Sequence, residues 1–225
     1  MWCIPPKQNA EFAAHMEDVL EVYSRPYDEK NPVVCMDEKP YQLLDEYIEP
    51  IPMGKDNRTQ KYDCEYVRKG TCSIFMFTEP LAGWREAHAL PHRTAIDWAH
   101  QMKWLIDEEY PNAEKIVLVM DNLNTHATAS FYKAFLPPEA QRLAQKLEIH
   151  YTPKHGSWLD IAEIELSALT TQSLLGVRIP SLDALNDILA KWHTNRNNTQ
   201  KGVSWHFTCC DARIKLKHLY PEIKF

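Results

Sequence analysis

The apolar positions of this chain recur at two spacings, one helical and one alternating. Residues 11–23, EFAAHMEDVLEVY, set Phe12, Met16, Val19, Leu20 and Tyr23 three or four apart, which predicts a short amphipathic helix. VVCMD (33–37) reads as a short buried strand, and the polar run 45–63, with Pro50, Pro52 and Gly54, as a loop. In CEYVRKGTCSIFMFTEP, Cys72, Ile74, Met76 and Thr78 alternate with Ser73, Phe75 and Phe77, which predicts a hairpin turning at Lys69-Gly70. WREAHALP (84–91) would be a third strand of that antiparallel set. Residues 94–110 begin with Thr94 as an N-cap and carry Ile96, Trp98, Ala99, Met102, Leu105 and Ile106 along one side of a helix. Beyond it the pattern predicts a strand over 115–121, helical segments over 126–135 and 138–147, and a strand over 148–153. Two more helices follow, 157–169 capped by Ser157 and 181–196 also opened by a serine.

Strand, antiparallel set, helix, then strand–helix–strand–helix describes a mixed sheet with helices packed on it, an α/β layer architecture. The 225 residues suit one substantial domain, and no run approaches the roughly 18 apolar residues that span a bilayer. With no basic-then-apolar N-terminus to suggest a signal peptide, the default location is cytoplasmic, with no membrane partner. Cys35, Cys64 and Cys72 lie in apolar or strand-like settings and read as reduced core residues; adjacent Cys209 and Cys210 suit neither a zinc chelate nor a simple bridge. The net charge of -6 argues against a surface that binds nucleic acid all over. Residues 191–225 are locally basic, however, with seven Lys/Arg against two Asp/Glu.

Chemistry enters through two strands that end alike. VVCMD and VLVMD each run apolar residues into an aspartate, Asp37 and Asp121. Either alone reads as a turn former or helix cap. As neighbours in one sheet they would bring two like charges within several ångströms, each raising the other's pKa unless a cation lies between them. A hard, oxygen-liganded cation such as Mg²⁺ resolves that conflict. The segment 157–169 offers a third acid. Asp160, Glu163 and Ser167 share the polar arc of the helical wheel, while Glu165 falls between apolar positions. The wheel leaves Glu163, an accessible ligand, and Glu165, a buried ion-pair partner, both open.

CMDEKP, VMDNLNTH and HYTPKHGSWLDIAEIE resemble the three acidic motifs of the DDE transposases, in the bacterial insertion-sequence group related to the mariner elements. The likeness runs from about residue 30 to residue 210. It implies an RNase H-like fold, a mixed five-stranded sheet with helices on both faces. It also implies a catalytic domain over 31–200, between an N-terminal helix and linker remnant (1–30) and a basic C-terminal tail (201–225). Carried over by motif, Asp37, Asp121 and Glu163 become the catalytic, metal-binding acids. Asp160 stands where the family usually has Asn, adding a negative charge near Glu163. The implied reaction is cleavage of DNA phosphodiesters and strand transfer at a site of two Mg²⁺ or Mn²⁺ ions, in a homodimer on transposon ends and target DNA near the bacterial nucleoid.

Asn122 and His126 in DNLNTH belong to the same resemblance as supporting residues. Lys154 and His155, on the loop before the Glu163 helix, and Arg196, Lys201, Arg213, Lys215 and Lys217 are candidates for contacting the DNA backbone. Arg68 and Lys69 are expected to be exposed, Trp158 to pack in the core, and Glu38 and Asp45 to be surface acids. Family members usually carry an N-terminal helix-turn-helix region, and the thirty-odd residues before Asp37 are too few for one. Two other readings stay open: a metal-dependent nuclease of the same fold that cuts without joining, and a decayed domain that binds DNA or assists assembly.

Overall fold

The computed structural model describes residues 8–48, 63–199, 202–203 and 205–222. Its centre is a five-stranded sheet in the order β3-β2-β1-β4-β5, formed by β1 (Val33–Glu46), β2 (Tyr66–Glu79), β3 (Trp84–Leu90), β4 (Ile116–Met120) and β5 (Leu147–Tyr151). The first three strands are antiparallel neighbours, and β4 and β5 run parallel to β1. The helices are α1 (Ala10–Ser24), α2 (Ala95–Trp104), α3 (Phe131–Ala134), α4 (Pro137–Lys146), α5 (Ile161–Leu169), α6 (Leu182–Thr199) and α7 (Cys209–Lys215). This is the mixed five-stranded sheet that the resemblance implied.

Both faces of the sheet are covered, which explains why its central strands read as nearly unbroken apolar runs. Side chains alternate between two cores. Cys35, Ile74, Met76, Val117 and Val119 join a core with α1, α5, α6 and α7. Val34, Met36, Phe75, Phe77, Leu118 and Met120 join the other, with α2, α3 and α4. Thr94 closes a reciprocal capping box with Asp97 at the start of α2. The N-terminal helix α1 contributes Phe12, Met16, Val19 and Leu20 to the first core. Ala212 and Leu219, from the basic C-terminal segment, are buried in the same core.

Strand β3 lies at one edge of the sheet, and α6 covers it. Asn186 exchanges hydrogen bonds with both backbone groups of Ala89, and Asn197 does the same with Arg85. His193 Nδ1 accepts from the Ala87 amide at 3.4 Å. The spacing of Asn186, His193 and Asn197 puts them on one face of the helix, where they satisfy an edge that would otherwise invite another strand.

Several boundaries differ from the sequence reading. No hairpin turns at Lys69-Gly70, because β2 is continuous through it. Gly70, at φ +103°, marks a β-bulge where Leu43 pairs with Gly70 but Leu44 pairs with Arg68. A glycine serves a bulge as well as a turn, and side-chain alternation on one strand does not distinguish them. The partner strand is instead β1, which extends through Glu46, so the loop expected over 45–63 begins later; its residues 49–62 lie outside the described ones. The helix expected over 157–169 is a short 3-10 turn, Ser157–Leu159, followed by α5, and its cap is Asp160 rather than Ser157. Cys64 is exposed, whereas Cys35 and Cys72 are buried free thiols.

Candidate active site

Strands β1 and β4 lie side by side with Met36 opposite Met120, so Asp37 and Asp121 follow at the same level of the sheet. Asp37 has the parity of Cys35, and Asp121 that of Val119, the residues that face α1 and α5. Helix α5 brings Glu163, an exposed residue of its first turn, to the same place. Asp37, Asp121 and Glu163 all line one open cavity of about 620 Å³. Asp37 and Glu163 also border an adjoining groove of about 350 Å³.

The electrostatics of this cluster are unbalanced. Burial, followed by the charges of Asp121, Glu163 and Glu38, pushes the Asp37 carboxyl up to about 7, against a 2.7 Å hydrogen bond from the Glu38 amide. Asp160 is fully buried at the head of α5. Its Oδ1 accepts from the Ala162 amide at 2.9 Å, and its Oδ2 has no hydrogen-bond partner among the described residues. Burial and the charge of Asp37 raise its pKa well above the usual carboxylate range. Asp160 lines the same cavity as Glu163. It is a helix cap held toward its neutral form, a role that Asn fills equally well. Acidic oxygens converging on an open cavity are a donor set for a hard divalent cation. Among the described residues, no three His, Cys, Asp or Glu side chains are already gathered around a metal position.

His126 is buried beneath Asp121. Its Nδ1 lies 2.6 Å from Asp121 Oδ1, and its Nε2 lies 2.9 Å from Glu38 Oε1. Burial opposes charge on this ring, but the two carboxylates outweigh it and push its pKa up to about 9. Glu38, expected at the surface, is buried: its side chain retains 1% of its exposure. Its parity with Val34 and Met36 carried the signal, since it sends Glu38 to the face opposite Asp37.

The two similar acids of α5 separate cleanly. Glu163 opens to the cavity, whereas Glu165 is buried and paired with Arg85 at 3.3 Å and Arg196 at 3.1 Å. Of the expected DNA contacts, Lys154 and His155 line the cavity, as does Asn122. Their loop is pinned by a 2.7 Å bond from the Gly156 amide to the Pro153 carbonyl, and His155 adopts a left-handed φ of +66°. A Cβ on Gly156 would meet Pro153 at 2.5 Å, so the turn requires glycine. The other cations lie elsewhere. Arg196 is held by Glu165, Arg213 by Glu17 of α1, and Lys215 by Asp211. Lys217 is exposed in a C-terminal 3-10 turn, and Lys201 lies outside the described residues. Sequence reading missed the opposite wall, where α1 supplies Glu11, Phe12 and His15 and the residue before it, Asn9. No local pattern connects that helix to residues more than a hundred positions away.

Among solved structures, the Mos1 strand transfer complex is similar, with a TM-score of 0.56 at 12% identity over 86% of this chain and 57% of the Mos1 chain. The mariner Mos1 paired end complex with Mg gives 0.57 at 13% identity, over 99% of this chain and 67% of that one. The corresponding complex with Mn gives 0.54 at 14%, over 87% and 58%. At such identities the likeness establishes the RNase H-like fold, and this chain spans somewhat more than half of the Mos1 chain. No curated protein matches the sequence significantly. The family described as DDE superfamily endonuclease matches residues 32–186, a stretch that contains Asp37, Asp121 and Glu163, and the chain belongs to that family.

Proposed function

We propose that this chain is the catalytic domain of a transposase, cutting DNA and joining DNA strands with Mg²⁺ or Mn²⁺. The observation that carries this reading is the meeting of Asp37, Asp121 and Glu163, from two parallel strand ends and a helix, at one open cavity. When bound, a pair of such ions would supply an activated oxygen nucleophile and stabilise the leaving oxygen of the phosphodiester. The chain's own part is to hold carboxylate oxygens at the cavity floor and to guide DNA across it. Lys154, His155 and His15 on the walls suit backbone phosphates, and Asp37 and Glu163 stand where the cavity meets the adjoining groove. Asn122 beside Asp121 is placed to contact the same DNA or metal ligands.

The substrates in this reading are transposon ends and target DNA, on a homodimer that presents two active sites, in the cytoplasm at the bacterial nucleoid. Calorimetry of Mg²⁺ and Mn²⁺ binding, on the wild type and Asp121→Ala, tests the site, first without and then with a short duplex. Binding that the substitution abolishes is the expected result; a folded wild type that binds neither ion, even with duplex, would overturn it. An assay with pre-cut ends then separates joining from cutting alone. Cleavage without any joining would replace the transposase with a nuclease of the same fold.

A further inference from the structure

We propose that Glu38 and His126 form a positioning clamp that fixes the Asp121 carboxylate in the active site, and that metal binding depends on this clamp. The inference rests on the metal-binding role proposed for Asp121. Asp121 is the first residue beyond β4, on an irregular stretch whose next three residues are exposed, and its own side chain is 39% exposed. A carboxylate there has no strand neighbour to select its rotamer. His126 supplies the restraint through charge, Nδ1 approaching the buried Oδ1 to 2.6 Å without the alignment of a hydrogen bond.

The imidazole is itself held on several sides. Glu38 takes its second nitrogen at 2.9 Å, the Trp98 ring stacks on it with centroids 6.0 Å apart, and the Tyr151 hydroxyl donates to the His126 carbonyl at 2.8 Å. Nδ1 also lies 3.3 Å from the Asp121 carbonyl, so the ring meets both the backbone and the side chain of that residue. The clamp also couples the two strand ends. Glu38 follows Asp37 on β1 but points to the opposite face, so the backbone that places one acid anchors the histidine that orients the other.

A purely structural role explains less. Glu38 is buried in a core of Phe, Trp and Met side chains, and its Oε2 has no hydrogen-bond partner among the described residues. An apolar residue there would avoid that unsatisfied oxygen, so the acid is better explained by what it does to His126.

The test compares Mn²⁺ affinity by calorimetry, and kcat and KM for duplex cleavage, in the wild type, Glu38→Ala, Glu38→Gln, His126→Ala and the Glu38→Ala/His126→Ala pair. Circular dichroism checks that each folds. Loss of an outer partner to a metal ligand costs about 10–100-fold in metal affinity. Glu38→Ala and His126→Ala should each fall in that range and lower kcat while leaving KM for DNA unchanged. Glu38→Gln, which keeps an acceptor, should recover most of the affinity, and the double variant should lose no more than His126→Ala alone. Should the alanine variants not fold, Mg²⁺ titration of the wild type followed by His126 ring resonances gives the same answer. Ring signals that move with the calorimetric midpoint support the clamp, and an unmoved ring overturns it. The clamp alone fails if Asp121→Ala abolishes metal binding while a folded Glu38→Ala binds like the wild type. A wild type that binds no metal, even with duplex, removes the proposed function and the clamp with it.

Discussion

Glu163 and Glu165 stand two residues apart on one helix and have opposite surroundings. Glu165 is enclosed by Arg85 and Arg196, two cations that arrive from β3 and α6 to neutralise it. Glu163 faces an open cavity shared with Asp37 and Asp121 and has no ion pair among the described residues. The fold therefore supplies counter-ions to an acid it uses as a tie between elements. At the cavity it leaves acids uncompensated, apart from His126 beneath Asp121. A carboxylate whose balancing charge is missing from the chain is the better candidate for a charge that comes from outside.

The largest effect that could break this contrast is in activity. Glu163→Gln keeps size and exposure but removes the charge. It should lower metal-dependent cleavage by about 10³-fold, the scale of losing one preorganised electrostatic contact to a transition state. Its thermal midpoint should match the wild type. Cleavage near the wild-type rate in a folded Glu163→Gln protein would take Glu163 out of the site.

Glu165→Ala should behave in the opposite way. It leaves Arg85, whose side chain is 1% exposed, buried without its partner. Removing one member of a buried ion pair costs about 3–5 kcal/mol, and for a chain of this size that lowers the melting temperature by about 10 °C. Below its transition the variant should still bind Mn²⁺ with wild-type affinity. If stability holds and metal binding disappears instead, the two glutamates have been assigned the wrong way round.

Asp160 gives a smaller effect on the same helix. It caps α5 at the cavity lining, and burial beside Asp37 raises its pKa toward the neutral acid. Asp160→Asn should therefore leave stability and metal affinity nearly unchanged, since Asn and Asp cap equally well. Asp160→Ala should cost about 1 kcal/mol through the lost cap. Chemical denaturation of the two variants measures the difference. A large gain in metal affinity for Asp160→Asn would mean that Asp160 carries its charge after all.

These contrasts also mark where sequence reading succeeds. Asp37 and Asp121 were legible because two apolar runs end in aspartate and both strands lie in the sheet interior. Alternation was legible along 72–78, but the unbroken apolar runs of β1 and β4 did not reveal that the sheet divides two cores. The bulge at Gly70 was not, because turns and bulges both recruit glycine, and only the register between β1 and β2 distinguishes them. Glu38 could have been placed by its parity with Val34 and Met36. Its partner could not, since His126 is 88 positions away. The pairing of Glu165 with Arg85 and Arg196 is likewise tertiary. A helical wheel shows that Glu165 faces inward but cannot show what meets it there.

The same distinction between compensated and uncompensated charge applies to the cations. Lys154 and His155 stand on a turn at the cavity wall, and no acidic partner at ion-pair distance holds either of them among the described residues. Lys215, by contrast, is paired with Asp211 on α7 at 3.2 Å, away from the cavity lining. A lysine that meets a DNA phosphate releases about one counterion, so losing it lowers the slope of log affinity against log salt by about 0.9 for duplex DNA. Lys154→Ala should show that reduction and weaken binding uniformly across duplex sequences. Lys215→Ala should leave slope and affinity as they are. Fluorescence anisotropy over a salt series measures both. A reduced slope for Lys215→Ala, with none for Lys154→Ala, would move the DNA path from the acidic cavity to the C-terminal helix and would separate the bound duplex from the carboxylates proposed to cut it.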